Sequence, residues 1–197
     1  MSQAQPRVDP RILRSRRAIL EAALAELAER GYGGFAIDGV ATRAGVARST
    51  IYRHWPDRTA LIADAIDALN VQPEVGPADA ESPRERISAL LHHLSDAMRT
   101  SPVSACLPAL IDGAERDGAL RRLHHRYSDR RRAALVAAIA AAIEAGELRD
   151  DIDPELAATA LAGAIIYRRL MTGRPLPADE VDPLIDTVLG APPAGAQ

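Results

Sequence analysis

At 197 residues the chain is long enough for one or two domains with a buried core. Its composition is 47% apolar but only 3% aromatic, so that core must be built mainly of Ala, Leu, Ile and Val. The net charge of −3 conceals a division: residues 1–59 carry ten Arg against six acidic residues, a balance of +4, and residues 60–197 fourteen against twenty-one, a balance of −7. A basic segment joined to an acidic one suits a protein that meets a polyanion at one end only. All 24 basic residues are Arg, which reads first as the codon bias of a GC-rich genome and only second as phosphate chemistry. No apolar run approaches the roughly 20 residues of a membrane span. There is no apolar signal segment, and a single cysteine excludes an intrachain disulfide. A cytoplasmic chain without membrane attachment is expected.

Ala-rich and Leu-rich sequence favours helix throughout, and no strand-like alternation or internal repeat interrupts it. Residues 1–9 are polar and read as disordered. From Pro10 to Arg30, Ile12, Leu13, Leu20, Leu24, Leu27 and Ala28 recur at helical spacing, and Gly31 ends the run. A short helix from Ile37 to Ala44 follows, then one from Ala47 to His54, and Asp57 is suited to N-cap a fourth that continues to Leu69. The Pro-rich and Gly-rich segment Val71 to Glu81 marks a boundary, dividing the chain into domains 1–70 and 71–197. Ser82-Pro83-Arg84-Glu85 is a capping box with Pro at the first helical position, opening a helix to Thr100. Further helices are predicted between Ser101 and Gly113, from Gly118 to Ala145, from Pro154 to Thr172 and from Ala178 to Leu189, before a loose APPAGAQ tail.

The stretch AGVARSTIYRHWPDR, Ala44 to Arg58, reads as the second half of a helix-turn-helix. Gly45 can take the left-handed conformation that ends a helix, and Val46 is an apolar elbow. After them Arg48, Ser49, Thr50, Tyr52, Arg53 and His54 crowd hydrogen-bond donors onto one short helix, which points to DNA. Arg48 and Ser49 stand at the helix start, where base edges are reached. An Arg on guanine O6 and N7 is worth about 1–3 kcal/mol of discrimination. Thr50 offers a hydroxyl to phosphate and a methyl to thymine, and Arg53, one turn from Ser49, reaches either base or backbone. Ile51 and Trp55 are expected in the core. Tyr52 divides evenly between packing and contact, and His54 is also suited to a helix C-terminus.

The segments ILEAALAELAERGYGGF, IDGVATRAGVARSTIYRHWPDR and TALIADAI together resemble the N-terminal domain of the TetR family of transcriptional regulators, over roughly Ile12 to Leu69. The resemblance implies an all-α fold: an N-terminal three-helix helix-turn-helix DNA-binding domain and a C-terminal helical ligand-binding and dimerisation domain. It also implies phosphate-clamping positions at Tyr52, His54 and Arg58. Two departures stand out, since the family usually has Ser or Thr before the second helix and Ser at the start of the recognition helix. Here Ala36 and Ala47 occupy those positions, and each missing cap costs about 1 kcal/mol. Gly39 inside the second helix costs a similar amount against Ala.

In the C-terminal two thirds, LAATALAGAIIY is apolar on nearly all sides, so its helix is expected to be buried all round. Val181, Leu184, Ile185, Val188 and Leu189 form one stripe on the last helix. Two such helices per chain make a four-helix interface across a two-fold axis, and the resemblance implies a homodimer of this kind. Ala160, Gly163 and Ala164 would let the helices approach closely. The resemblance further implies an effector pocket, for which Met98, Cys106, Leu110, His124, Tyr127 and Tyr167 are the candidates, although pocket walls and plain core share this chemistry. A lone Cys106 reads as a buried small hydrophobe rather than a redox sensor. His92-His93 and His124-His125 lack the i, i+4 spacing of helical metal sites. No metal or cofactor is expected, and no nucleophile-base pair or phosphate loop suggests an enzyme. The function expected is a ligand-responsive, homodimeric repressor that binds a near-palindromic double-stranded operator and is released by a small-molecule effector. The alternatives are a helical small-molecule carrier and a dimeric adaptor with a weakened DNA module.

Overall fold

The computed structural model describes residues 10–69 and 82–191. The boundary segment Val71 to Glu81, the polar residues 1–9 and the tail beyond residue 191 lie outside the described residues. Among those described there are nine α-helices, one 3₁₀ turn and no strand, so the fold is all-α. No helix is long and apolar enough to cross a membrane. The chain divides into two compact units. One holds the described part of 10–69 together with Ala105–Leu123; the other holds the described part of 82–104 and 124–191.

In the first unit, α1 (Pro10–Gly34) packs on α2 (Ile37–Ala44) and α4 (Arg58–Leu69), and α2 on α3 (Arg48–His54). Helix α1 carries past the expected end at Arg30, but only through a kink at Gly31, whose φ of 67° and ψ of 174° suit glycine. The turn after α2 is closed as expected. Gly45 is left-handed at φ 65°, its N–H donates to the Thr42 carbonyl at 3.3 Å, and the Val46 N–H donates to the Ala41 carbonyl at 3.1 Å. That is the Schellman arrangement. Helix α3 begins one residue after the expected Ala47, which is extended and acts as N-cap. Asp57 caps α4, its Oδ1 accepting the Ala60 N–H at 2.8 Å. Ile19, Leu27, Val40, Ile51, Leu61 and Ile62 are all fully buried at the centre of this unit.

Helix α6 (Pro102–Arg116) runs past the expected end at Gly113. Gly113 is helical, and its missing side chain makes room for others: a Cβ there would lie 2.5 Å from Leu120 Cδ2 and 2.7 Å from Tyr32 Cγ. Its C-terminus is closed by Arg121, which donates to the carbonyls of Ala114 and Glu115, both at 2.9 Å. Asp117 then N-caps α7 (Gly118–Glu144), accepting the N–H groups of Ala119 at 2.8 Å and Leu120 at 3.2 Å. The Tyr32 hydroxyl donates to the same carboxylate at 2.5 Å, tying the α6–α7 junction to the end of α1.

In the second unit, α5 (Pro83–Thr100) opens with the expected capping box at Ser82 and Glu85, and packs on α8 (Pro154–Met171) and α9 (Val181–Leu189). Pro108, inside α6, has no N–H to return to the Ser104 carbonyl. Arg169 of α8 takes that oxygen at 3.3 Å and the Ser104 hydroxyl at 2.6 Å. The last helix is shorter than expected, because Ala178–Glu180 form a 3₁₀ turn. Pro183 cannot donate to Asp179, so the regular ladder starts only at Val181. The expectation that α8 is buried all round fails within one chain. Ala157, Ala158, Leu161 and Ile165 are buried, but Leu156, Tyr167 and Met171 are 70%, 60% and 72% exposed.

Candidate nucleic-acid interface

The helix-turn-helix is fixed from below by its apolar residues and from the side by charge. Ile51 and Trp55 are buried, as expected, and the Trp55 indole N–H donates to Asp64 of α4 at 2.8 Å. Arg16 of α1 pairs with the same carboxylate oxygen at 2.5 Å. Arg43, near the end of α2, forks between two acids of α1. Its Nε donates to Glu26 at 3.0 Å, and its Nη1 and Nη2 engage the two oxygens of Glu29, Nη1 at 3.0 Å. Glu26 is 5% exposed and Arg43 about a third exposed, so the pair is desolvated at its carboxylate end. Gly39 of α2 lies against the same carboxylate, with a would-be Cβ 2.3 Å from Glu26 Oε1.

This frame leaves one face of α3 open. Arg48, Ser49, Tyr52, Arg53 and His54 are exposed and Thr50 is half-buried. Arg48 is held by two neighbours: its Nε lies 2.8 Å from Oδ1 of Asp38, in the first turn of α2, and its guanidinium carbon lies 5.9 Å from the Tyr52 ring centroid. Hydrogen bonding with Tyr52 and then the Asp38 charge raise its pKa above the usual arginine value. Ala36 and Ala47 are the N-caps of α2 and α3, and neither supplies a side-chain bond. Arg58, at the start of α4, lies 4.5 Å above the Tyr32 ring. The frame residues Glu26, Asp38 and Arg43 were not singled out from sequence; their only signal there is charge on a helix.

The pocket candidates divide between the units. Cys106 and Leu110 are buried in the first. The Cys106 thiol donates to the Leu24 carbonyl at 3.1 Å, and burial pushes its pKa up to about 11. Met98 and Tyr127 are buried in the second unit, where Arg131 lies 5.7 Å from the Tyr127 ring centroid and donates to its hydroxyl at 3.3 Å. His124 is half-buried, its pKa lowered by burial and then by His125, and Tyr167 is exposed. Among the described residues, no group of three His, Cys, Asp or Glu side chains is placed to hold a metal ion.

Residues 19–65 match the family described as bacterial regulatory proteins, tetR family, and residues 77–188 match the tetracyclin repressor-like C-terminal domain. The chain is 31% identical over 172 residues to the uncharacterized HTH-type transcriptional regulator YdeS of Bacillus subtilis, covering 83% of this chain and 82% of that one. It is 31% identical over 173 residues to the DNA-binding transcriptional repressor TetR of Mycobacteroides abscessus, covering 87% and 90%. Its fold is similar to the crystal structure of a TetR-family transcriptional regulator from Rhodococcus sp., with a TM-score of 0.73, 27% identity, and coverage of 88% and 98%. A DNA-binding helix-turn-helix on an all-α chain, matched along both halves, makes this protein a member of the TetR family of transcriptional regulators.

Proposed function

We propose that the chain is a homodimeric repressor released from DNA by a small-molecule effector. In this reading residues 1–70 bind DNA and 71–197 carry dimerisation and effector binding, with 105–123 packed into the first unit. The observation that carries it is the exposed run Arg48, Ser49, Tyr52, Arg53 and His54 on a seven-residue helix whose opposite face is buried at Ile51. A helix so framed inserts its first turn in the major groove, with Arg48 and Ser49 on base edges. Thr50, Tyr52, Arg53, His54 and Arg58 then serve base or phosphate. The dimer reading rests on α8, where Leu156, Tyr167 and Met171 stand exposed on a helix with open space at Gly163. A two-fold partner covering that face sets two α3 helices about 34–36 Å apart, the spacing of successive major grooves. An effector that binds one dimer geometry better than the other shifts that spacing, and the six pocket candidates are where its contacts are sought.

The test is selection of sequences from random duplex DNA by the full-length protein, with Arg48→Ala alongside. A near-palindrome that the variant no longer holds supports the reading, and binding to it weakens steeply with salt. Failure to enrich any motif at low salt overturns it. For the dimer, the pair Leu156→Arg and Tyr167→Arg is expected to give a monomer in sedimentation velocity; an unchanged dimer refutes the α8 assignment.

A further inference from the structure

The outward face of the helix-turn-helix is not uniformly basic. Asp38 puts a carboxylate beside Arg48, and the two side chains remain 65% and 58% exposed. An ion pair so open to water adds little to stability. A carboxylate on a surface that approaches phosphates also opposes binding to DNA in general. What the pair does supply is orientation. Arg48 is the first residue of α3, so its backbone is fixed by the helix start, its Nε is engaged by Asp38, and the Tyr52 ring lies beside its guanidinium. Guanine is read by two parallel N–H donors held in the plane of the base pair, and a guanidinium anchored through Nε presents the Nη1 and Nη2 fork end-on.

We infer that Asp38 is a positioning residue for base reading: its carboxylate holds Arg48 at Nε so that Nη1 and Nη2 face guanine, sharpening sequence preference while lowering affinity for DNA at large. The inference rests on the reading of Arg48 as a base contact. Asp38 also sits in the first turn of α2, where a negative charge favours the helix N-terminus, so its effect on the fold must be separated from its effect on Arg48.

Four full-length proteins separate them: the natural chain, Asp38→Ala, Arg48→Ala and the double variant. Each is taken through selection from random duplex DNA. Each is then measured for affinity to the selected duplex, for affinity to an unrelated duplex of equal length, and for melting temperature. Asp38→Ala is expected to relax base preference by about two- to fivefold at the same position that Arg48→Ala erases. It should also raise affinity for the unrelated duplex by about two- to threefold. In the Arg48→Ala background, removing Asp38 should change base preference no further. A loosened α2 does not give this pattern, since it weakens both duplexes together and lowers the melting temperature in either background. The inference is overturned if Asp38→Ala keeps the full preference. It is equally overturned if both duplexes weaken alike, or if a different base position shifts independently of Arg48, which would make Asp38 a reader in its own right. If instead Arg48→Ala leaves every preference intact, the assignment of Arg48 fails first and the role of Asp38 falls with it.

Discussion

Gly39 and Glu26 form one unit of design. By helix propensity Gly39 is a defect of about 1 kcal/mol, and Ala should improve α2. Yet a Cβ at that position would stand 2.3–2.7 Å from the Glu26 carboxylate, which is itself buried and bonded to Arg43. The clash displaces a carboxylate already removed from water and bonded to its partner, and that outweighs the propensity gain. Gly39→Ala is therefore expected to lower stability by about 1–3 kcal/mol, read from urea denaturation. In a Glu26→Ala background the sign should reverse, with Gly39→Ala stabilising by about 1 kcal/mol. The same sign in both backgrounds would refute the steric account. This pair also marks the limit of what single residues disclose. Ile51 and Trp55 were legible as core because an apolar side chain carries its own reason to be buried. Glu26 was not, because a carboxylate is buried only where a partner meets it, and Arg43 lies 17 positions away.

Helix ends divide along the same line. Those written in local chemistry were legible: the Ser82–Glu85 box, Asp57 as a cap, and Gly45 as a left-handed stop. The end of α6 and the start of α9 were not. The first is closed by Arg121, from the next helix, on the Ala114 and Glu115 carbonyls, and the second depends on the donor that Pro183 lacks. The two uncapped starts offer a direct test. Ala36 and Ala47 are extended N-caps without a side-chain acceptor, so Ala36→Ser and Ala47→Ser should each stabilise by about 0.5–1 kcal/mol. Measured by thermal unfolding, no gain at either position would show that the backbone cannot accept a cap there. Helices α5 and α7 carry a pH dependence. The pKa of His93 is lowered by burial and then by Arg131, and that of His124 by burial and then by His125. Folded chains with lowered histidine pKa values bind fewer protons than unfolded ones as pH falls below the ordinary value of 6.5. Stability is then present above that pH and is lost as pH falls. The urea midpoint should drop between pH 7.5 and 5.5, and His93→Gln with His124→Gln should flatten the drop.

At the scale of the whole molecule, the family assignment rests on both halves of the chain, although only the helix-turn-helix half could be read from motifs. The C-terminal helices announce themselves by apolar content alone, which is compatible with a core, a pocket wall or a subunit interface. Among the described residues Leu156, Tyr167 and Met171 of α8 stand exposed, and on that exposure the proposed subunit interface rests. The first unit, meanwhile, is discontinuous. Its DNA-reading helices are complete by residue 69, but its closure waits for Ala105–Leu123, where Cys106 reaches the Leu24 carbonyl and Asp117 the Tyr32 hydroxyl. During synthesis, then, the ribosome must release more than fifty residues beyond α4 before the reading head can finish folding. A nascent chain stalled before that point exposes the uncovered side of α1, while one stalled after it holds a finished reading head before the final two helices of the chain have been made.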